Sequence, residues 1–162
     1  MVMEKREIGR SGIMASAIGL GAWAIGGGLW WGENDDRMSI NTIHRALELG
    51  INWVDTARVY GFGHSEEVVG KALREIPRHE MILSTKCGIQ WYDNRGEYHF
   101  SREGHDVYRD LSPKAIRRDL EFSLKTLGVD YIDVYYTHWQ CKTYGLVPVA
   151  ETMGELLKMK QE

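Results

Sequence analysis

Short apolar runs alternate along the chain with segments whose apolar residues recur at helical spacing. The runs at residues 17–20, 51–54, 81–85 and 131–137 are almost wholly apolar, as strands buried on both faces are. Each is followed by a stretch with apolar positions three or four residues apart, which predicts an amphipathic helix. The pattern therefore predicts four strand–helix units, joined by right-handed crossovers into a parallel α/β arrangement.

The first two predicted helices have recognisable ends. Asp35 and Asp36 offer N-caps for the first helix, and Gly50 lies where that helix stops. Ser65 begins the second helix, and Pro77 follows its end. The apolar face of the first helix consists of Ile40, Ile43 and Leu47, and that of the second consists of Val69, Leu73 and Ile76.

The third helix has the clearest boundaries. Ser112 is a typical N-cap, Pro113 takes the first helical position, and Gly128 takes the C-cap. Pro148 opens a fourth helix that runs to the end of the chain. The long segment between the third strand and the third helix, residues 88–110, is rich in aromatic and charged groups, and its run at 93–96 (Asp-Asn-Arg-Gly) predicts a hairpin turn.

Charge and length exclude several classes of protein. The chain has 162 residues, with 20 basic and 23 acidic side chains and a net charge of −3. Its basic residues are scattered, so we expect neither a nucleic acid nor an anionic membrane as a partner. No stretch approaches the roughly 20 apolar residues of a membrane helix, and charges at positions 4, 5, 6, 7 and 10 leave no room for a signal peptide. We expect one domain over residues 1–162.

Cysteine and histidine usage favours a reduced compartment and no metal. Cys87 and Cys141 form no CxxC pair, and the chain is too large to depend on disulfides, so we expect a cytoplasmic protein. The six histidines show neither HxH nor HExxH spacing, and we expect no metal site. Glycine (18 residues) and tryptophan (six residues) are frequent, with Trp30 and Trp31 adjacent in a Gly-rich stretch. Such a stretch is typical of a loop that approaches a ligand closely, although tryptophan also packs in cores and at their rims.

Four chemically active side chains lie where predicted strands end. Asp55, Lys86 and His138 each follow an apolar run, and Tyr60 lies five residues after Asp55 in the same loop. In parallel α/β folds ligands gather at the carboxyl ends of the strands. Each residue also has a structural interpretation: a helix cap, a solvated lysine, a buried histidine or a packed tyrosine. Their joint occurrence in three successive loops nevertheless favours a single cleft.

Such a set can act on a carbonyl oxygen. A tyrosine has an ordinary pKa of about 10, and a nearby ammonium lowers it by favouring the phenolate. A carboxylate paired with the lysine would keep the ammonium charged and oriented. The sequence thus predicts a general acid tuned by its neighbours.

Several motifs carry a resemblance to a known family. The run at 50–57 (Gly-Ile-Asn-Trp-Val-Asp-Thr-Ala), followed by Tyr-Gly at 60–61, Ser-Glu at 65–66 and Gly70, resembles the signature of the aldo-keto reductases. The chain is most similar to the branch that includes bacterial inositol-operon reductases and potassium-channel β subunits. Further matching motifs lie at 9–12, 18–23, 84–86, 127–133 and 137–139, so the resemblance covers essentially the whole chain.

The resemblance implies a (β/α)8 barrel of the TIM type and an NADP(H)-dependent reduction of aldehydes or ketones. By position, Tyr60 matches the proton donor, Lys86 and Asp55 the pair that tunes it, and His138 the group that orients the carbonyl. Gly21, Ala22 and Trp23, together with Asp55, match residues that border the NADPH nicotinamide. The implied substrate pocket is formed by Trp23, Trp30, Trp91 and Trp139, with the long loop after Cys87 as one wall.

The length implies half of that fold. A complete barrel takes about 250 residues, so this chain would supply the first four strand–helix units, preceded by a hairpin of residues 6–8 and 14–16. An unclosed parallel sheet leaves exposed edges, which implies self-association or pairing with a C-terminal half. Arg58 departs from the family pattern, in which many members carry a small residue or proline at that position.

Two other functions remain open at this stage. The chain could be a non-catalytic regulatory module that binds the cofactor and uses its outer surface, as the channel β subunits do. Alternatively, Lys86 could be a Schiff-base nucleophile in an aldolase-like barrel, since strand-end lysines perform that chemistry. The physiological carbonyl and the choice between NADPH and NADH do not follow from the sequence.

Overall fold

The structure is a computed structural model and describes residues 3–141 and 147–162. The strands of this part are, in chain order, β1 (Lys5–Glu7), β2 (Met14–Ser16), β3 (Leu20–Gly21), β4 (Trp53–Asp55), β5 (Ile82–Cys87), β6 (Ile89–Gln90), β7 (Glu97–Arg102), β8 (His105–Arg109) and β9 (Val134–Thr137). Its α-helices are α1 (Gly28–Trp31), α2 (Asp36–Glu48), α3 (His64–Leu73), α4 (Pro113–Leu127) and α5 (Val149–Gln161). Short 3-10 turns lie at Ala24–Gly26, Tyr60–Gly63 and Arg78–Glu80.

The predicted parallel sheet is confirmed. Its strands lie in the order β3-β4-β5-β9, and all three pairings are parallel. Each of these strands is followed by at least one helix, as the alternating pattern predicts. The carboxyl ends of β4, β5 and β9 consequently lie along one edge of the sheet.

Alternation along the strands separates a helix-facing side from an inner side. Val54 and Leu83 are fully buried and belong to one apolar cluster with residues of α2 and α3. Trp53 and Asp55 lie on either side of Val54 in β4. Because successive residues of a strand point to opposite faces of the sheet, these two side chains face the other way, and they line a cleft. A second cluster lies beneath α4 and α5, around Cys87, Leu111 and Ile116. The helices therefore cover one side of the sheet, and Asp55 and Lys86 lie on the other.

The helix boundaries agree closely with the caps in the sequence. The Asp35 side chain accepts a hydrogen bond from the Met38 N–H at 3.0 Å and caps α2. Ser112 caps α4 in the same way, and Gly128 ends it in the left-handed region. The second helix begins at His64, one residue before the predicted Ser65.

Two of the predicted strands are shorter than expected because groups outside the sheet bind their first residues. The run at 17–20 forms a strand only at Leu20–Gly21, since the Ala17 N–H is taken by the Glu4 carbonyl of the hairpin. The run at 131–137 forms a strand only at Val134–Thr137. There the Arg78 guanidinium binds the Tyr131 carbonyl at 3.0 Å and the Asp133 carboxylate at 2.6 Å.

The N-terminal hairpin and the long segment form small sheets of their own. β1 and β2 pair antiparallel, as the sequence predicts for this segment. The long segment forms a three-stranded sheet in the order β6-β8-β7, with its tight turn at Glu103 and Gly104, both at positive φ. The prediction of a hairpin turn at 93–96 is wrong, because the strands on either side of it, β6 and β7, pair with β8 and not with each other.

The folded run at 93–96 has a clear local cause. The buried Gln90 amide donates to the Asp93 carbonyl at 3.0 Å and to the Arg95 carbonyl at 2.8 Å, and this fixes the run as a loop around one side chain. No helix in the described ranges combines the length and apolar character that a membrane crossing requires.

Candidate active site

Lys86, near the end of β5, lies at the centre of a polar cluster. Its ammonium donates to the Asp55 carboxylate at 2.7 Å, to the Thr56 carbonyl at 2.7 Å and to the Tyr60 hydroxyl at 3.2 Å. These three acceptors match the three hydrogens of an ammonium group. The lysine is therefore held in one orientation, pointing at the tyrosine oxygen.

Asp55 is oriented from the neighbouring strand as well. One carboxylate oxygen accepts from Lys86, and the other accepts from the Ser84 hydroxyl at 2.7 Å. Ser84 is fully buried and in turn accepts from the Trp53 indole N–H at 3.0 Å. Because Asp55 and Ser84 are direct neighbours in the β4–β5 register, the strand pairing itself brings the carboxylate to this donor.

The loop that carries Tyr60 is strongly bent. Gly61 and Phe62 both have positive φ, at 59° and 51°, so the chain turns sharply just after the tyrosine. A Cβ atom on Gly26 would lie 2.8 Å from the Tyr60 carbonyl carbon, which leaves no space for a side chain. This backbone contact fixes the tyrosine loop against the Gly-rich segment of residues 22–34.

His138 follows β9 and faces the tyrosine. Its backbone N–H donates to the Cys87 carbonyl at 2.9 Å, which continues the pairing of β9 with β5. Its ring packs edge-on against Tyr60, with the ring centroids 5.5 Å apart. Burial, with a smaller contribution from Lys86, lowers the pKa of His138 to about 4, so the imidazole is neutral near pH 7. A neutral imidazole can donate a hydrogen bond to a ligand without carrying a charge.

An open cleft of about 510 Å³ lies on the inner side of the sheet next to this cluster. It is lined by Gly19, Gly21, Trp53, Asp55, Lys86, Tyr136, Thr137 and His138. A Cβ atom on Gly21 would have no neighbour within 4 Å, so this glycine leaves its backbone bare to the cleft.

The other residues predicted to border the cofactor differ in exposure. Ala22 is fully buried, and its N–H donates to the Asp55 carbonyl at 2.8 Å. Trp23 is 46% exposed, with its ring centroid 5.9 Å from that of Tyr60. Trp30 and Trp31 pack against Trp23, at centroid distances of 6.3 and 5.3 Å. The Gly-rich segment thus presents an aromatic surface beside the tyrosine.

The predicted pocket residues Trp91 and Trp139 make their ring contacts with other groups. Trp91 packs against Phe62 at a centroid distance of 5.3 Å and against the Arg58 guanidinium at 4.8 Å. Trp139 is 54% exposed, and its ring is 5.6 Å from the Arg109 guanidinium. The structure therefore brings four of the predicted residues into one cluster, namely Asp55, Tyr60, Lys86 and His138, with Trp23 and Trp30 nearby. Trp91 and Trp139 instead contact the three-stranded sheet of β6, β8 and β7 and its surroundings.

The geometry supports proton donation by Tyr60. Its oxygen accepts a hydrogen bond from Lys86, which leaves the phenolic hydrogen for another acceptor. An oxygen placed between Tyr60 and the neutral His138 could accept from both rings. The residues also suit a nicotinamide ring, since Gly21 offers a bare backbone within the cleft and Trp23 an exposed aromatic face beside Tyr60.

A family profile matches most of the chain. The profile of the aldo/keto reductase family matches residues 17–162. The chain belongs to this family. The sequence resemblance is therefore confirmed, and an oxidoreductase of the aldo-keto reductase type is the activity of its relatives.

Curated aldo-keto reductases are similar to nearly the whole chain. It is 45% identical to the NADH-specific methylglyoxal reductase of Escherichia coli, over 99% of the chain and 49% of that protein. It is 44% identical to an aldo-keto reductase of Bacillus subtilis, over 95% of the chain and 43% of that protein. The chain spans about half the length of the curated relatives it matches.

Solved aldo-keto reductase structures have the same fold. The glycerol dehydrogenase of Gluconobacter oxydans superposes with a TM-score of 0.81 at 40% identity, covering 99% of the chain and 46% of that protein. The holo form of an aldo-keto reductase from Bacillus halodurans gives a TM-score of 0.76 at 31% identity, over 98% of the chain and 47% of that protein. The four parallel strands with their helices and N-terminal hairpin are accordingly a partial (β/α) barrel, as predicted.

Several residues of the polar cluster around Lys86 were not predicted from the sequence. Ser84 and the Thr56 carbonyl orient the charged pair, and Trp53 and Tyr136 line the cleft. Ser84 could have been predicted from the sequence, because it lies two positions before Lys86 in the same strand and must face the same side of the sheet. The Thr56 carbonyl could not have been predicted in this way, since any residue type supplies a backbone oxygen.

Proposed function

We propose that the protein reduces aldehydes or ketones to alcohols with a reduced nicotinamide cofactor. The observation that carries this proposal is the contact between the Lys86 ammonium and the Tyr60 hydroxyl, with Asp55 holding the lysine from the opposite side. When bound, the nicotinamide would supply the hydride that such a reaction requires. The protein's own residues then have to orient the carbonyl and protonate its oxygen.

Tyr60 is the proposed proton donor. The positive charge of Lys86 beside the phenol oxygen stabilises the phenolate that remains after the proton has left. The Asp55 carboxylate and the Thr56 carbonyl hold the ammonium at this oxygen, so no reorganisation is needed during proton transfer.

His138 and the Gly-rich segment have orienting roles in this proposal. The neutral imidazole donates a hydrogen bond to the carbonyl oxygen and so aligns it with the Tyr60 hydroxyl. Gly21, Ala22, Trp23 and Asp55 would border the nicotinamide, and Trp23 and Trp30 would form the nearest wall of the substrate pocket. In this proposal Trp91 and Trp139 form the outer parts of that pocket.

NADPH is the proposed form of the cofactor, and NADH is the form to compare it with. The Escherichia coli relative is named as specific for NADH, and it shares 45% of its residues with this chain over the matched region. Titration of the protein with NADPH and with NADH, monitored by the change in tryptophan fluorescence, would show which dinucleotide binds more tightly. Much tighter binding of NADH would replace NADPH in the proposal without affecting the reaction.

The reaction is tested by following the absorbance of NADPH and of NADH with methylglyoxal and a set of other aldehydes and ketones. Tyr60→Phe removes only the hydroxyl and should lower kcat by about 10²–10⁴-fold, the usual contribution of a general acid. Tyr98→Phe is the matched control, because its exposed hydroxyl bonds only to Ser101 among the described residues. Wild-type turnover that survives in Tyr60→Phe would overturn the role of Tyr60.

A regulatory module is the alternative to an enzyme. It predicts that the protein binds the cofactor, as measured by calorimetry, with no turnover on any carbonyl tested. A Schiff-base lysine is disfavoured by the three hydrogen bonds of Lys86, which leave no free electron pair for attack. Borohydride trapping of a carbonyl compound on Lys86 would reverse that judgement.

We also propose that the inner side of the sheet is covered by further strand–helix units. Tyr136 on this side is 37% exposed, and the relatives are about twice as long as this chain. Light scattering of the purified chain, alone and with a separately produced C-terminal half of a relative, tests this idea. A stable dimer of the chain alone would identify a second copy as the partner instead.

A cytoplasmic location is part of the same proposal. Both cysteines are free thiols, and Cys87 is buried, which is compatible with a reducing compartment. Cell fractionation with antibody detection would test it, and recovery from a secreted fraction would contradict it.

A further inference from the structure

The buried carboxylate of Asp119 joins three segments that carry the proposed active site. Asp119 lies in α4 and is fully buried. One of its oxygens accepts from the Arg58 guanidinium at 2.5 Å and from the Tyr92 hydroxyl at 2.8 Å. The other accepts from the backbone N–H of Gly88 at 2.9 Å.

Two of these partners, Arg58 and Gly88, are close in sequence to a residue of the cluster described above. Arg58 lies two residues before Tyr60 in the same loop, and Gly88 lies two residues after Lys86 at the end of β5. Tyr92 belongs to the segment that follows β6. A single carboxylate thus connects the loop of the proton donor to the strand end of the lysine that contacts it.

Arg58 is buried as deeply as its partner. Only 2% of the residue is exposed, and its guanidinium lies against three aromatic rings. The distances from the guanidinium carbon to the ring centroids are 4.8 Å for Trp91, 5.0 Å for Tyr92 and 4.1 Å for Phe122. These rings exclude water from the pair, and the removal of one charge leaves the other buried without its hydrogen-bonded partner.

Arg58 also connects the loop that carries Tyr60 to the three-stranded sheet of β6, β8 and β7. Trp91 covers one face of Arg58 and also packs against Phe62 and His105. Phe62 is two residues after Tyr60 and contacts His105 at a centroid distance of 4.6 Å. The loop is therefore held on both sides of the tyrosine, through Arg58 before it and Phe62 after it.

We infer that the Arg58–Asp119 pair is a positioning device that holds the Tyr60 loop in register with the Lys86 strand end. Arg58 and Asp119 are positioning residues, since they contact the catalytic cluster only through the backbone and through neighbouring side chains. The inference rests on the proposed function, because positioning matters only if Tyr60 and Lys86 act together. It also assigns a purpose to the residue at which this chain departs from the family pattern.

A second ion pair provides an internal control. Arg78 and Asp133 form a pair at 2.6 Å at the opposite end of the same strands, and the Arg78 guanidinium lies 4.0 Å from the Tyr131 ring centroid. The Asp133 carboxylate accepts from the backbone N–H of Leu83 at 2.8 Å, as Asp119 accepts from Gly88. In barrels of this type the amino ends of the strands contribute to stability and the carboxyl ends to chemistry. The two pairs join the same residue types, but the side chains of Arg78 and Asp133 are 20% and 18% exposed, against 2% and 0% for Arg58 and Asp119.

The test compares Arg58→Met and Asp119→Asn with Arg78→Met and Asp133→Asn. We expect all four to lower the midpoint of urea unfolding, but only Arg58→Met and Asp119→Asn to reduce kcat at saturating substrate, by about 10–10²-fold, as a small misplacement of a catalytic group does. The KM for the cofactor should stay within about twofold, since in this inference only the donor is displaced. Arg58→Lys keeps the charge and should recover part of the lost kcat, although it lacks the planar group that fits between the rings.

Hydrogen exchange measured by mass spectrometry supplies a readout that does not depend on activity. Arg58→Met and Asp119→Asn should speed exchange at Gly88 and across residues 56–63, whereas Arg78→Met and Asp133→Asn should speed it at Leu83. If the wild type has no reductase activity, the proposed function fails while the exchange pattern still tests the coupling.

Two results would overturn the inference. One is a loss of kcat that follows the loss of stability in the same way in the Arg58 and the Arg78 variants. The Arg58–Asp119 pair would then be an ordinary stabilising contact. The other is unchanged exchange in residues 56–63 when Arg58 is replaced, which would show that the loop is held by other contacts.

Discussion

Gly26 and Gly61 lie backbone against backbone, and neither has space for a side chain. The Gly26 carbonyl occupies the position that a Cβ atom on Gly61 would need, and Gly61 also has a positive φ of 59°. Gly26 lies in the Gly-rich segment that presents Trp23 and Trp30, while Gly61 directly follows Tyr60. The contact therefore sets the distance between the aromatic surface and the proposed proton donor.

Replacement of Gly26 by alanine should disturb this contact. The added Cβ atom would lie 2.8 Å from the Gly61 nitrogen, so one of the two segments must shift. We expect the free energy of unfolding to fall by about 1–3 kcal/mol, as overpacking usually costs, together with a loss of carbonyl reduction. Gly154→Ala is the control, because its Cβ has no neighbour within 4 Å, and it should stabilise α5 by about 0.5–1 kcal/mol. Equal effects of the two substitutions in urea unfolding would contradict this account.

Ser84→Ala should weaken the proposed reaction through Asp55. The substitution removes the 2.7 Å hydrogen bond to the carboxylate and leaves the Trp53 indole N–H without its acceptor. We expect a loss of about 1–3 kcal/mol in stability and of about tenfold in kcat. Ser16→Ala serves for comparison, since Ser16 is also buried and hydrogen-bonded but contacts Ile18 and Asn52 near the N-terminal hairpin. A similar fall in kcat for both variants would argue against a specific role for Ser84.

Glu66 should make the protein less stable as the pH rises. The residue is fully buried, and burial raises the pKa of its carboxyl above the ordinary value, despite the hydrogen bond from Thr85 at 2.6 Å. Above about pH 4.5 the unfolded chain releases this proton while the folded chain keeps it, so the folded state binds more protons and loses stability with increasing pH. Glu66→Gln removes the titration, and the difference in unfolding free energy between variant and wild type should grow as the pH rises above about 4.5.

His138 should have the opposite effect at lower pH. Its folded pKa of about 4 lies below the ordinary value of 6.5, so between these values the unfolded chain binds a proton that the folded chain does not. Stability from this residue is therefore complete above about pH 6.5 and falls toward pH 4, by about 3 kcal/mol at most. An NMR titration of the ring should give a midpoint well below about 6.5, the ordinary value for histidine. A midpoint above 6 would remove the basis for treating His138 as a neutral hydrogen-bond donor.

The strand ends and helix caps could be predicted because they depend on short-range chemistry. Ser112, Pro113 and Gly128 define α4 through local hydrogen bonding and backbone preference, and the structure follows them. Asp55 and Lys86 were placed at one edge because the carboxyl ends of parallel strands must lie together. These features need only the sequence of a segment and the known geometry of a parallel sheet.

Long-range side-chain contacts account for the errors. The strand predicted at 131–137 begins only at Val134, because Arg78 binds the chain before it from 53 residues away. The turn predicted at 93–96 is a loop held by Gln90, and β8 separates the two strands beside it. Local preferences in both segments are satisfied equally well by the predicted and the observed conformations, so distant partners decide between them.

The amino-acid pattern was sufficient for the strand–helix alternation, the parallel α/β class and the four candidate catalytic residues, since periodicity and strand-end position express them directly. The half-barrel was implied only by the resemblance to the aldo-keto reductases. Folding was required to bring Arg58 to Asp119, Ser84 to Asp55 and Gly26 to Gly61. The first pair is separated by 61 residues in the chain. No local preference encodes such pairs, because the free energy of each contact arises only after both partners have been buried in the same folded chain.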